Sequence, residues 1–167
     1  HKKDYLNELG KTLKGKRLGV FKAVQGDHPQ ITEAFENAQQ IMKDYGVELV
    51  MIEEFDTPEG FWGKALDLLL IEFKHELNAY LANSAKAVTT RTLADVMKFN
   101  ESSQRELAIF DQSLFVQAEA KNGYDDDYKE IKEFLRVATQ DEGIDKLLKE
   151  YKVDAIMMPS QTPAFLI

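Results

Sequence analysis

An α/β fold with a small parallel sheet is predicted by three short apolar runs and by what separates them. The runs cover residues 17–22, 47–52 and 153–158. Each is too short for a helix and is bounded by turn residues, as a buried strand should be. One helical stretch joins the first two runs, and strand, helix, strand with short links is a βαβ unit, parallel with a right-handed crossover. The simplest sheet then has the first strand in the centre, order 2-1-3. The chain has 167 residues, which suits a single domain over 1–167 with a helical insertion at about 60–150, between strands two and three.

The elements follow in order. Leu18, Val20 and Phe21 carry the first strand, after the polar Lys14–Lys16. Gly26, Asp27 and Pro29 mark a loop, and Pro29 sits where a helix begins. Ile31, Phe35, Ala38, Ile41 and Met42 recur at the spacing of one helix face, and Gly46 stands where a C-terminal cap belongs. Val47 and Leu49–Ile52 form the second strand. After Pro58 a long helix places Leu66, Leu69, Leu70, Phe73, Leu77, Tyr80 and Leu81 on one face. Thr92 with Asp95 reads as a capping box. Residues 92–121 form two or three short helices, broken by Gly123. Asp125–Asp127 open another helix at its positive dipole end, with Tyr128, Ile131, Phe134 and Leu135 as its apolar face. Gly143 punctuates, a last helix runs to about Tyr151, and Pro159 ends the third strand.

Composition excludes several function classes. The net charge is -8, from 21 basic and 29 acidic residues, which opposes a general grip on nucleic acid or an anionic membrane surface. There is no cysteine, so disulfides, thiolate metal sites and a cysteine nucleophile are ruled out. No apolar run is longer than that of Leu68–Ile71, which cannot span a bilayer. No signal-peptide pattern is visible, a cytoplasmic location is favoured, and His1 is compatible with a tag remnant or a lost upstream segment.

No motif supplies a complete active site. Gly10–Arg17 approaches a phosphate-binding loop, but Arg17 replaces the magnesium-binding hydroxyl and the glycines precede a strand instead of following one. Glu72 and His75 have the spacing of a bundle metal site, yet only one copy exists, so a solvated pair is the expectation. Asp125–Asp127 lack the register of a calcium loop and fit helix capping. There is no Gly-x-Ser-x-Gly elbow and no Gly-Gly or Ser-Gly pair. No residue is assigned as catalytic, cofactor-binding or metal-ligating, and no cofactor is expected.

Larger stretches do carry a likeness. Leu70-Ile-Glu-Phe-Lys-His-Glu-Leu-Asn-Ala-Tyr-Leu81 and Thr92-Leu-Ala-Asp-Val-Met-Lys-Phe-Asn100 resemble segments of bacterial amidase-signature enzymes, in the same order. The opening Leu13–Val20 and the end, Ile144–Leu148 and Val153–Ala164, are similar to that family as well. Asp111, between Phe110 and Gln112, replaces a usual glycine, and Ser160 after Pro159 replaces a common threonine. The resemblance implies part of the amidase-signature fold and a parent enzyme that hydrolyses linear amides through a serine acyl-enzyme, with a lysine and a bridging serine assisting. It also implies that all three of those residues lie upstream of the matched region, so this chain alone should be inactive. Peptide amidases resemble the chain more than the A-type subunit of a tRNA-dependent amidotransferase.

A different class of reading is a free-standing α/β module that binds a ligand or partner where Gln25, Glu54 and Ser160 approach the carboxyl ends of the strands. A purely structural helical interaction domain is a third. Under the amidase reading the partner is a small-molecule or peptide amide, with self-association expected through an exposed sheet edge at Val153–Met158.

Overall fold

The computed structural model describes residues 5–160, so His1 and the Gln161–Ala164 part of the terminal likeness lie outside the described residues. Two compact units appear, one made of residues up to Thr57 and from Val137 onward, the other of Pro58–Arg136.

The first unit holds the sheet. Strands β1 (Arg17–Phe21), β2 (Glu48–Ile52) and β3 (Ala155–Met157) are all parallel, in the order β2-β1-β3. Leu18 lies opposite both Leu49 and Ala155, which fixes the register on either side of the central strand. The order matches the sequence expectation, and its cause is visible in burial. Gly19, Val20 and Phe21 are buried on both faces of the sheet, as a central strand requires. Phe21, Ile52 and Leu147 form the core, with Phe55, Tyr151, Ile156 and Met158 packed around them. Phe55 meets the Phe21 ring edge-on, with centroids 5.4 Å apart.

Helix α1 (Pro29–Asp44) starts with Pro29 in its first turn. It ends in a Schellman motif: Gly46, at φ 80°, donates to Lys43, and Val47 donates to Met42. Its inward face differs from the expected one. Phe35 and Gln39 are buried, whereas Ile41 is 52% exposed. Ile41 lies about 120° around the helix from Phe35, so it cannot share the stripe that Ala38 and Met42 continue. Of the stretch expected as an insertion at 60–150, residues from Val137 on belong to this unit. They form a π-helical turn (Val137–Ile144), kinked at Gly143, and a short helix over Asp145–Glu150.

The second unit is helical: α2 (Phe61–Ala82), α3 (Leu93–Glu101), α4 (Ser113–Glu119) and α5 (Asp126–Arg136). Helix α6 (Asp145–Glu150) lies in the first unit. Helix α2 packs against each of the other three helices of its unit, and Leu70, Leu93 and Ala118 form the buried centre. The expected apolar face of α2 is corrected here too. Phe61, Leu70 and Ile71 are buried, while Leu69 and Tyr80 are 64% and 73% exposed. The inward face is completed by half-buried polar residues, Asp67, Lys74 and Asn78, for which α3, α4 and the loops supply partners. Among the described residues no helix is long and apolar enough to cross a membrane.

Candidate functional site

Among the described residues, Glu54 alone of the three named at the carboxyl ends of the strands borders a cavity. Gln25 caps the 3-10 turn after β1 and is buried, with its Oε1 unpaired. Glu54, after β2, is exposed and borders an open cavity of about 270 Å³ with Asp56, Glu142 and Glu150. Ser160 is exposed in the turn after β3 and does not border that cavity. The cavity rim is acidic apart from Lys146, whose Nζ donates to Glu142 at 3.2 Å.

The polar residues of the second unit are arranged with more definition, and they radiate from α2. Lys74 Nζ donates to the main-chain carbonyls of Glu119 (2.6 Å) and Lys121 (3.1 Å), closing the C-terminus of α4 with a cation. Lys121 returns the contact through Asp67 at 2.5 Å. Asn78 Oδ1 accepts the Leu93 N–H at 2.7 Å, at the start of α3. Thr92 and Asp95 complete the expected capping box there. The Asp95 carboxyl is held below its usual range first by the Arg91 N–H and then by Thr92. Arg91 reaches back to α2, where its guanidinium donates to the carbonyls of Leu81, Ser84 and Ala85. The Leu81 and Ala85 carbonyls also accept the Ser84 and Val88 N–H, so at these two Arg91 is a second donor.

Glu72 and His75 each have a partner in the helical unit. Glu72 accepts from the Tyr128 hydroxyl at 2.8 Å, and Lys132 donates to that same hydroxyl at 3.2 Å. His75 stacks against Tyr124, with ring centroids 4.1 Å apart, and Tyr124 donates to Glu76 at 2.9 Å. Burial, then the bond to Glu76, pushes the Tyr124 hydroxyl up to about 12, so it remains a donor near neutrality. Among the described residues no three His, Asp or Glu side chains gather as a metal site.

The aspartates of 125–127 act as helix-starting groups: Asp125 Oδ1 accepts the Tyr128 N–H at 3.0 Å. Asp111 has the same use. One residue before the N-cap Gln112, it accepts the N–H of Ser113, the first residue of α4, at 2.9 Å, which lowers its pKa. Ser84 and Ser102 hydroxyls donate to main-chain carbonyls of Tyr80 and Phe99. The glycine-bearing segment before β1 is a lead-in, as expected, with Arg17 already in the strand. Sequence reasoning missed the roles of Lys74, Arg91 and Tyr124. Their partners are carbonyls and rings that only the fold brings near, so no local signal marks them.

These ties define the class: a parallel α/β unit and a helical unit whose distinctive residues at 70–81 and 92–100 serve as braces. The chain belongs to the amidase family, whose family model, described as Amidase, matches residues 1–167. It is similar to the native peptide amidase from Stenotrophomonas maltophilia, with 28% identity and a TM-score of 0.75, over 89% of this chain and 30% of that one. A peptide amidase, PAM, solved with the competitive inhibitor chymostatin matches with 29% identity, a TM-score of 0.75 and the same 89% and 30% coverage. An amidase family protein from Bacillus anthracis str. Ames shares the fold, with 24% identity and a TM-score of 0.71, over 95% of this chain and 30% of that one. The chain thus spans about 30% of the length of these solved structures. Comparison with curated proteins gives no match.

Proposed function

We propose that this chain is a segment of an amidase-signature hydrolase that cleaves carboxamide C–N bonds through a serine acyl-enzyme, and that the segment braces the enzyme without supplying the reacting serine and lysine. The observation that carries the reading is the likeness to peptide amidase over 89% of this chain. The use of Lys74, Asn78, Thr92 and Asp95 as braces supports the second half, because side chains committed to main-chain groups are poor candidates for proton transfer. Peptide amides are the preferred substrate class, ahead of a tRNA-bound amide, and a cytoplasmic parent is favoured.

Two assays test this. The isolated chain, given simple carboxamides and peptide amides, is expected to release no ammonia above background. Turnover that survives purification and disappears when one of this chain's serines is replaced would overturn the bracing role. A longer reading frame that contains this segment is expected to deamidate peptide amides and to lose that activity when its nucleophilic serine is replaced. Inactivity of that longer protein on every linear amide would overturn the hydrolase reading.

We also propose that the isolated chain associates with a second copy through β3. In the described residues β3 pairs only with β1, and Ile156 and Met157 are no more than half-buried. The net charge of -8 opposes association, so light scattering should show it strengthen with salt. A monomer at every concentration and salt would rule it out.

A further inference from the structure

Asn122 is followed by Gly123 in the loop between α4 and α5, and none of the other five asparagines precedes a glycine. Asn122 and Gly123 are exposed and outside regular structure. Neither the Asn122 side chain nor the Gly123 N–H takes part in a hydrogen bond among the described residues. The asparagines at 78, 83 and 100 are all engaged: Asn78 with Leu93, Asn83 with Ala79, Asn100 with Gln112. Around Gly123 there is open space, with nothing within 4 Å of where a Cβ would sit. An asparagine amide is a weak electrophile, and its usual attacker is the next residue's main-chain nitrogen. A side chain on that next residue hinders the approach, and glycine removes the hindrance.

We propose that Asn122 deamidates spontaneously in the folded protein, chiefly to isoaspartate, and that this releases the α4–α5 connection from α2. The Gly123 nitrogen loses its proton to solvent base and bonds to Cγ of Asn122. The Cγ–N bond of the side-chain amide breaks, and the amide leaves as ammonia after taking a proton, which closes a succinimide. Water then adds to one of the two ring carbonyls. Opening on one side gives aspartate. Opening on the other leaves the main chain running through the former side chain, with one extra atom.

That extra atom falls between two fixed points. On one side, the Lys121 carbonyl accepts from Lys74 at 3.1 Å and Lys121 Nζ meets Asp67 at 2.5 Å. On the other, Tyr124 stacks on His75 at 4.1 Å and bonds Glu76 at 2.9 Å. A new carboxylate also arrives three residues before Asp125–Asp127. Lengthening and repulsion both act on Tyr124, which has no ion pair and is held by one hydrogen bond to the Glu76 carboxylate and by ring contacts with His75 and Tyr128, whereas Lys121 is held by the Asp67 ion pair and the Lys74 ammonium.

The test is incubation of the full chain under native conditions across a neutral to mildly alkaline pH series, followed by peptide mapping and an isoaspartyl methyltransferase assay. The NH2-to-OH mass change is expected at Asn122 and not at Asn78, Asn83 or Asn100, faster as pH rises, with isoaspartate the larger product. Gly123→Ala, which the open space allows to fold, should slow it severalfold. An intact Asn122 in the folded chain, under conditions where the excised 122–129 peptide deamidates, would overturn the proposal, as would a wild-type rate in Gly123→Ala. Asn122→Asp separates charge from lengthening: the aged protein should show faster amide exchange over 121–128 than Asn122→Asp. Equal exchange in the two would overturn the release of the connection.

Discussion

Asp154 and Arg17 are joined twice: the Asp154 carboxylate accepts the Arg17 N–H at 2.9 Å, and the Asp154 N–H donates to the Arg17 carbonyl at 2.8 Å. This reciprocal pair sits one residue before Leu18 meets Ala155, so it sets the register in which β3 joins β1. Lys16 adds an ion pair to the same carboxylate at 2.8 Å. The Arg17 N–H first, and Lys16 next, hold the Asp154 carboxyl below its ordinary value of 3.8. A folded value lower than the unfolded one means that the stabilisation is complete above 3.8 and is lost as pH falls through the lower folded value. Asp154→Asn should therefore melt below the wild type at neutral pH, with the two curves converging in acid. A gap that stayed constant with pH would contradict the ionic part of this account.

Gly19 is a packing requirement of the central strand. A Cβ there would lie 2.8 Å from Cδ1 of Ile52 and 3.4 Å from Cγ2 of Val153. Ile52 is fully buried and has little room to yield. Gly19→Ala is expected to destabilise the chain by about 1–3 kcal/mol, the usual cost of overpacking. Denaturant unfolding would measure it, and an unchanged midpoint would show that Ile52 can move aside.

The strands and helix caps were legible in the sequence because they rest on local chemistry. Apolar runs with nearby turn residues mark β1 and β2, and Thr92 with Asp95, Gly46 and Asp125 signal helix ends by their own residue types. The buried faces of α1 and α2 were not legible in the same way. On α1, Ile41 is apolar yet points away from the stripe through Phe35. Helix α2 is apolar on most of its circumference, so periodicity cannot choose a face. Lys74 and Asn78 choose it, through carbonyls and an N–H that belong to later elements. For the candidate site, the expected strand ends at 22, 52 and 158 fall within one residue of Phe21, Ile52 and Met157, but nothing in the sequence gives the directions of Gln25, Glu54 and Ser160.

Lys152 is a second feature that residue type conceals. It follows α6 in the left-handed region, at φ 51°, while Val153 donates back to Leu148. Glycine is the usual occupant of this capping position. Lys152 contributes its main-chain carbonyl to Arg17 Nε at 2.8 Å, a contact that a glycine would keep. Lys152→Gly is expected to stabilise the protein by up to about 1 kcal/mol, the strain of a left-handed non-glycine residue. A lower melting temperature would mean that the lysine side chain matters more than its backbone strain.

Lys74 offers the sharpest test of the bracing role. Its side chain is three-quarters buried, and its ammonium meets two main-chain carbonyls and lies 3.5 Å from Glu119 Oε1. The other Glu119 oxygen is buried without a hydrogen-bond partner, so Lys74 is the cation that offsets this carboxylate. Lys74→Met keeps the length of the side chain and removes every one of these interactions. The expected loss is about 1–3 kcal/mol, because the carbonyls and the carboxylate are left without their donor. If the loss arises from the orphaned carboxylate, adding Glu119→Gln should recover part of it. If it arises from the orphaned carbonyls alone, the second substitution should recover nothing. A double-mutant cycle on thermal or denaturant unfolding distinguishes the two, and it requires only this chain. Amide exchange over 113–121 should rise in Lys74→Met, since the C-terminus of α4 would have lost its tie to α2. Unchanged exchange there, together with unchanged stability, would show that Lys74 does not brace the unit.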